Sequence, residues 1–414
     1  MIQAKRETDR ENSLLKAVIL AAGEGRRMKP LTFTRPKPMI TVANKPILEW
    51  LLLECIAAGI TEFAFIIGYR EGSIRDYFGD GTRWKVRISY FIQAEATGTA
   101  SAIKLAQGMV GDRFIVLNGD GIIGKADIER LASFPSTSIA VQEVNDTTGL
   151  GIIEVENGRV KSILEKPEYA TSKLANAGTY LFTEAIFQAI DRTEKSPRGQ
   201  FEITRSLEIL INDGSGVACQ PINYWLTVSY PWELLRVNEI ILSGMESGCE
   251  GAIEPGAHIE GRCVLGKNTR IRSGSYITGP VIIGENCDIG PNCYIRGSTA
   301  IGNGCRIGAS VEIKNSIIMS GTKIPHLSYV GDSVIGENCN FGAGTKVANL
   351  RFDHRNIRSG HVDTGLHKFG AIIGDNVQTG INVSINPGTL IGDGALIRPG
   401  SVVSGEVERG SLVR

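Results

Sequence analysis

The chain has 414 residues, 42% apolar, 21% charged and 7% aromatic, and its 44 lysines and arginines balance 44 aspartates and glutamates. That is a globular composition with room for two or three domains, and a zero formal charge offers no footing for a duplex-wide phosphate contact or for an anionic membrane. No run approaches about 18 apolar residues and the N-terminus has no apolar leader core, so no nucleic-acid partner, no membrane partner and a cytoplasmic location are expected.

Residues 1–14 are polar and are expected to form a flexible extension. Lys16-Ala-Val-Ile-Leu-Ala-Ala22 is an apolar run ending in glycine, the pattern of a strand entering a loop. That loop, Gly23-Glu-Gly25-Arg-Arg27, lacks the Gly-Lys-Ser/Thr of a P-loop and the third glycine of a dinucleotide fingerprint. A glycine-rich turn is also an ordinary strand-to-helix corner, but Arg35-Pro-Lys37-Pro follows closely, and cations beside a glycine turn suit a triphosphate. Segments 46–58 and 98–109 are amphipathic and alternate with the apolar runs Phe63-Ala-Phe-Ile-Ile67 and Phe114-Ile-Val-Leu117. The alternation predicts a mostly parallel α/β sheet with ligands at the carboxyl ends of its strands. Pro231–Leu242 has helical spacing and would bridge to a second domain.

Glycine marks the boundary. From residue 251 onward 28 of 164 residues are Gly, against 22 in the first 250. Positions 253 to 313 in steps of six are Ile, Ile, Leu and then Ile throughout, commonly followed by Gly and, four places on, by a small residue. This hexapeptide period predicts a left-handed parallel β-helix, aliphatic side chains stacked inside and glycine supplying corners hostile to a Cβ. The register resumes at Ile335, Phe341 and Val347 and again from Ile373 to Val403, leaving breaks at 316–334 and 348–372 that are expected to be loops building a site. Cys263, Cys287, Cys293, Cys305 and Cys339 fall four places after the aliphatic residue, so they are expected to be reduced core thiols rather than zinc ligands or disulfides. The domains expected are 1–14, 15–232, a linker helix at 233–250, and 251–414; side-by-side association of the β-helix predicts a homotrimer.

The first half resembles the sugar-1-phosphate nucleotidylyltransferases. The resemblance rests on Leu20-Ala-Ala-Gly23-Glu-Gly25-Arg-Arg27-Met with Pro36-Lys37-Pro, Gln93 with Gly98-Thr99, Asn118-Gly119-Asp120, Gly151, Glu165 in Glu-Lys-Pro, and Asn176 in Asn-Ala-Gly. It implies a Rossmann-like α/β domain in which Leu20, Ala22, Gly23, Gly25, Gln93, Gly98 and Thr99 bind the nucleotide. Gly151, Glu165 and Asn176 would bind the sugar and Asp120 a Mg²⁺ ion. Attack of a sugar phosphate on the α-phosphorus of UTP brings two anions together, so the site must supply positive charge and alignment, for which Arg27 and Lys37 are the candidates. One departure stands out: where the family carries an Asp or Asn as second metal ligand, in a Trp-x-Asp-x-Gly context, this chain has Trp225-Leu-Thr227.

The second half resembles the acetyltransferase domain of the bifunctional enzymes that make UDP-N-acetylglucosamine, archaeal branch. Val311-Glu-Ile-Lys314, Pro325-His326-Leu-Ser-Tyr329-Val-Gly-Asp332, Asn340-Phe-Gly-Ala343-Gly, Asn349 and the Lys368-Phe-Gly stretch carry it. The resemblance implies acetyl-CoA as co-substrate and His326 as the base that deprotonates a sugar amine. Arg296 and Lys314 would hold the sugar phosphate, Tyr329 and Asn340 its hydroxyls, Asn349 the amine side, the Ala343 N–H the oxyanion, and Lys368 CoA or phosphate. His354, His361 and His367 are expected on the surface. Three functions stay open on the residues: a bifunctional enzyme, with full or impaired nucleotidyl transfer; a hexapeptide-tailed glucose-1-phosphate or mannose-1-phosphate nucleotidylyltransferase; and a non-catalytic regulatory subunit.

Overall fold

The computed structural model describes residues 15–167, 169 and 171–414, so the extension expected at 1–14 lies outside the described residues. The apolar runs form the strands Lys16–Ala21, Glu62–Ile67 and Arg113–Asn118, with Lys16–Ala21 between the other two and parallel to both. Phe63 to Ile67 are each fully buried, the run without alternation that a parallel strand covered on both faces requires. Arg87–Ile92 adds a fourth parallel strand at the edge. Leu174–Thr183 then pairs antiparallel with Arg113–Asn118 and carries the sheet on through Ser138–Glu143, Ala218–Pro221, Arg159–Glu165 and Gly151–Glu156, nine strands in all. Helices Ile47–Ala57 and Thr99–Lys104 occupy the amphipathic segments, the second ending earlier than its pattern predicted.

The chain forms two compact units: the described residues up to Glu24 with Ile47–Thr227, and Gly25–Pro46 with Val228–Arg414. In the second unit the helix Glu233–Gly244 precedes a column of short parallel strands in three sheets of nine, nine and eight. Partners lie one coil apart, as in Ile271↔Ile289↔Ile307 and Ile277↔Ile295↔Ile313. Their side chains stack in a single apolar core that also contains the five predicted cysteines. Burial pushes the thiols of Cys263 and Cys339 up to about 12, which leaves them neutral and unreactive. This is the left-handed parallel β-helix of the hexapeptide pattern.

Two expectations need correction. Many corners place asparagine, not glycine, in the left-handed region, as at Asn268, Asn286, Asn292 and Asn338. Gly284 and Gly308 have ordinary φ and answer to crowding, since a Cβ there would stand 2.2 Å from Asn303 Oδ1 and 1.8 Å from the Pro325 carbonyl of the next coil. The break at 316–334 is also not a loop. Ile318, Ile324 and Val330 continue the inner stack there, and the partner spacing falls from eighteen to seventeen, as in Asp288↔Arg306 followed by Arg306↔Lys323. One corner of each of two coils is a residue short, at 314–317 and 331–334, where Ile313 gives way to Ile318 and Val330 to Ile335. The break at 348–372 is a true insertion, holding the hairpin Arg358–Ser359/Val362–Asp363 and a bridge between Leu350 and Lys368.

Candidate active sites

In the first unit the site begins where the parallel strands end. Leu20 and Asn118 are partners, and the Gly119 N–H donates to the Leu20 carbonyl at 2.9 Å. A Cβ on Gly119 would lie 3.0 Å from that oxygen, so this close crossing of strand ends favours glycine, and Asp120 follows it immediately. The strand Gly121–Ile123 then pairs antiparallel with Trp225–Thr227, setting Thr227 opposite Gly121. Asn118, Asp120, Asn176, Trp225 and Thr227 line one cleft of about 50 Å³. Asp120 is the carboxylate of that cleft, and among the described residues no group of three or more His, Cys, Asp or Glu is gathered to hold a metal.

Gly151, Glu165 and Asn176 also come together. Gly151 and Glu165 are strand partners, and a Cβ on Gly151 would approach Glu165 Oε2 at 3.3 Å and Asn176 Cβ at 3.6 Å. Glu165 Oε1 accepts from Arg198 at 3.0 Å, and Asn176 donates to the Tyr180 hydroxyl at 2.8 Å. Gln93 donates to the Gly98 carbonyl and to Ser101 Oγ at 2.9 and 3.1 Å. Gly98, at φ 122°, sits so tightly on the Phe201 backbone that a Cβ would meet its carbonyl at 2.2 Å. The Thr99 hydroxyl accepts from the Ile203 N–H at 2.9 Å, closing the same loop. The Ala22 carbonyl accepts from Tyr69, while Gly23 is exposed with open space at its Cβ position. Arg27 and Lys37 belong to the second unit. There Gly25, at φ 71°, packs where a Cβ would stand 2.7 Å from Lys37 Cβ, so the glycine turn and the lysine are one close-packed piece. The Arg27 guanidinium lies 5.4 Å over the Tyr230 ring.

The predicted acetyltransferase residues fall into two groups, at either end of the strand Tyr329–Gly331. Before it lies His326, exposed at the end of the strand Lys323–His326. Its carbonyl accepts the Gly344 N–H at 3.2 Å, which draws the Asn340–Gly344 segment to its corner. Asn340 is exposed, and the Ala343 N–H meets no acceptor among the described residues although its carbonyl is taken by Asn382. After the strand lies Asp332, almost fully buried, which accepts from Lys314 Nζ at 3.2 Å, from Asn315 Nδ2 at 2.7 Å and from Asn349 Nδ2. Arg296 stacks one coil before Lys314 and is paired with Glu312 at 3.0 Å. Burial, then the Asp332 and Glu312 charges, pushes the Tyr329 phenol above its ordinary value, so it remains a donor. Lys368 is exposed and bridged to Leu350, beside Asn349. His354, His361 and His367 lie in the 348–372 insertion, where the His367 ring meets the His354 carbonyl.

Family models match both units: nucleotidyl transferase over 16–244, the GMPPB C-terminal domain over 277–380 and the bacterial transferase hexapeptide over 370–405. The chain is 43% identical over 406 residues to the bifunctional protein GlmU of Methanococcus maripaludis, covering 96% of this chain and 97% of that protein. It belongs to this family. A relative in Sulfurisphaera tokodaii, a bifunctional sugar-1-phosphate nucleotidylyltransferase/acetyltransferase, is 37% identical over 97% of this chain and the whole of that one. A solved UDP-glucose pyrophosphorylase, 23% identical with a TM-score of 0.51, covers 56% of this chain and all of its own, and shows the fold of the nucleotidyltransferase half.

In this family member the sequence reading left Glu312 and Asp332 without a role, though both lie inside the motifs it used. The shortened corners were the available signal: dropping a residue after Lys314 and another after Gly331 brings Lys314, Asn315 and Asp332 onto one edge. Gly331 is the floor of the cluster. A Cβ there would stand 2.5 Å from the Tyr329 hydroxyl and 2.7 Å from Asn349 Nδ2. Gly331→Ala is therefore expected to slow acetyl transfer by about a hundredfold, the cost of a displacement near 1 Å in a reacting complex, with nucleotidyl transfer unaffected. Steady-state CoA release and pyrophosphate release on one preparation check it.

Proposed function

We propose that the two activities are acetyl transfer from acetyl-CoA to glucosamine-1-phosphate and uridylyl transfer from UTP to the resulting N-acetylglucosamine-1-phosphate, with release of pyrophosphate. The observation that carries the first is the edge where Lys314, Asn315 and Asn349 converge on the buried Asp332 carboxylate, with Tyr329 beside it and the Arg296–Glu312 pair on the neighbouring coil. Two cations suit a sugar phosphate, and a protonated phenol with amide groups suits hydroxyls. His326 takes a proton from the sugar ammonium, the freed amine attacks the thioester carbonyl, and the Ala343 N–H supports the oxyanion. Collapse of that adduct expels CoA as a thiolate, which takes the proton held on the imidazolium, while the new amide nitrogen loses its extra proton to solvent, so that one proton is released per turnover.

For the second activity Arg27 and Lys37 offset the charge of the triphosphate and Asp120 holds the metal. The cleft donors are oxygens with a single carboxylate, which fits a Mg²⁺ ion that takes its other ligands from water and phosphate. When bound, the ion neutralises charge on the transferring phosphoryl group. Gly151, Glu165 and Asn176 hold the sugar, and Gln93 with the Gly98–Thr99 loop holds the base. The β-helix half associates as a homotrimer, and the enzyme works in the cytoplasm, with its substrates.

A second reading, a nucleotidylyltransferase whose β-helix has no transferase activity, is favoured by the match to the GMPPB C-terminal domain. The test is CoA release from acetyl-CoA with glucosamine-1-phosphate, beside pyrophosphate release from UTP with N-acetylglucosamine-1-phosphate and Mg²⁺. Both are expected. Pyrophosphate release with no CoA release would give the second reading.

A further inference from the structure

The cation that opens the Arg35-Pro-Lys37-Pro motif does not join its neighbour. Arg35 is buried in the second unit, where its guanidinium pairs with Asp375, reaches Glu337 at 3.2 Å and donates to Met319 Sδ at 3.1 Å, residues of three successive coils of the β-helix. Thr34 donates to the same Asp375 oxygen at 2.6 Å, and the other Asp375 oxygen accepts the Glu337 N–H at 2.8 Å. A buried carboxylate with this many donors is a fixed point. From it the chain to Lys37 has little freedom: Pro36 biases Arg35 away from helical conformations, locks its own φ and is itself extended, and Lys37 then opens the 3-10 turn Lys37–Met39, in which the Met39 N–H donates to the Pro36 carbonyl at 2.9 Å and the Ile40 N–H to the Lys37 carbonyl at 3.1 Å. Lys37 is buried against Gly25.

We propose that Asp375, through Arg35, is a positioning residue for nucleotidyl transfer: a carboxylate of the β-helix sets where Lys37 stands. The inference rests on reading Lys37 as a cation for the triphosphate. It predicts that a substitution far along the chain, in the half that carries the acetyltransferase motif, impairs the other reaction.

The test uses the full-length protein and the variants Asp375→Asn, Arg35→Lys, Lys37→Ala and the exchange Arg35→Asp with Asp375→Arg, with both activities and a thermal midpoint measured for each. Asp375→Asn and Arg35→Lys are expected to lower kcat for pyrophosphate release by about ten- to a hundredfold, leave KM for the sugar phosphate and CoA release unchanged, and be partly rescued by the exchange. Parallel loss of both activities with the thermal midpoint would make the pair purely structural and overturn the inference, as would undiminished pyrophosphate release. Pyrophosphate release retained in Lys37→Ala would instead overturn the reading of Lys37, and the inference with it.

Discussion

Replacing His326 with alanine is expected to cut CoA release by about 10²- to 10⁴-fold, the usual worth of a positioned general base, and to leave pyrophosphate release untouched. The expectation comes from what surrounds the ring. His326 is exposed, makes no side-chain hydrogen bond among the described residues and holds the strand through its carbonyl rather than its imidazole, so alanine removes the base and keeps the corner. A glucosamine amine is largely protonated near neutral pH, and the loss should therefore shrink as pH rises and free amine accumulates. A pH–rate profile of both proteins checks this; an equal deficit at every pH would mean that His326 binds the substrate without taking its proton.

The second large effect is expected at the metal. Asp120→Ala should lower pyrophosphate release by at least about a hundredfold, since it removes the carboxylate of the cleft. Thr227→Asp should act in the opposite direction, lowering the Mg²⁺ concentration for half-maximal rate and raising the rate at limiting metal. Thr227 stands opposite Gly121, one residue from Asp120, and lines the same cleft, so a carboxylate there would face the same ion. Titration of pyrophosphate release with Mg²⁺ decides it. If Thr227→Asp leaves the titration unmoved, the metal takes no ligand from that position. Acetyl transfer should be indifferent to both variants.

What the sequence showed and what it hid follow from the range of each interaction. The first three strands and the inner stack were legible because burial there writes a local pattern, an unbroken apolar run or an aliphatic residue every sixth place. The far half of the first sheet was not. Arg159–Glu165 buries only Val160 and Ile163, three places apart across a register shift that breaks the strict alternation of a strand, and Ala218–Pro221 is only partly covered, so neither rises above a turn-rich background. Arg35 was read beside Lys37 because they are neighbours in sequence, whereas its partner carboxylate lies 340 residues away. The cluster around Asp332 was hidden differently: removing one residue from a hexapeptide shifts everything after it, and a shift of one looks like a loop until the coils are stacked.

Those shortened corners also answer a question of address. A column of identical coils has translational symmetry: each level presents the same outward row as the one below, and a small substrate would meet equivalent ledges along the whole shaft. The two seventeen-residue turns break that symmetry in two successive coils, along the edge where amide and ammonium groups converge on the buried Asp332. A missing residue in each of two successive coils, followed at the next corner by the 348–372 insertion, thus makes one stretch of a repetitive building distinguishable from the rest.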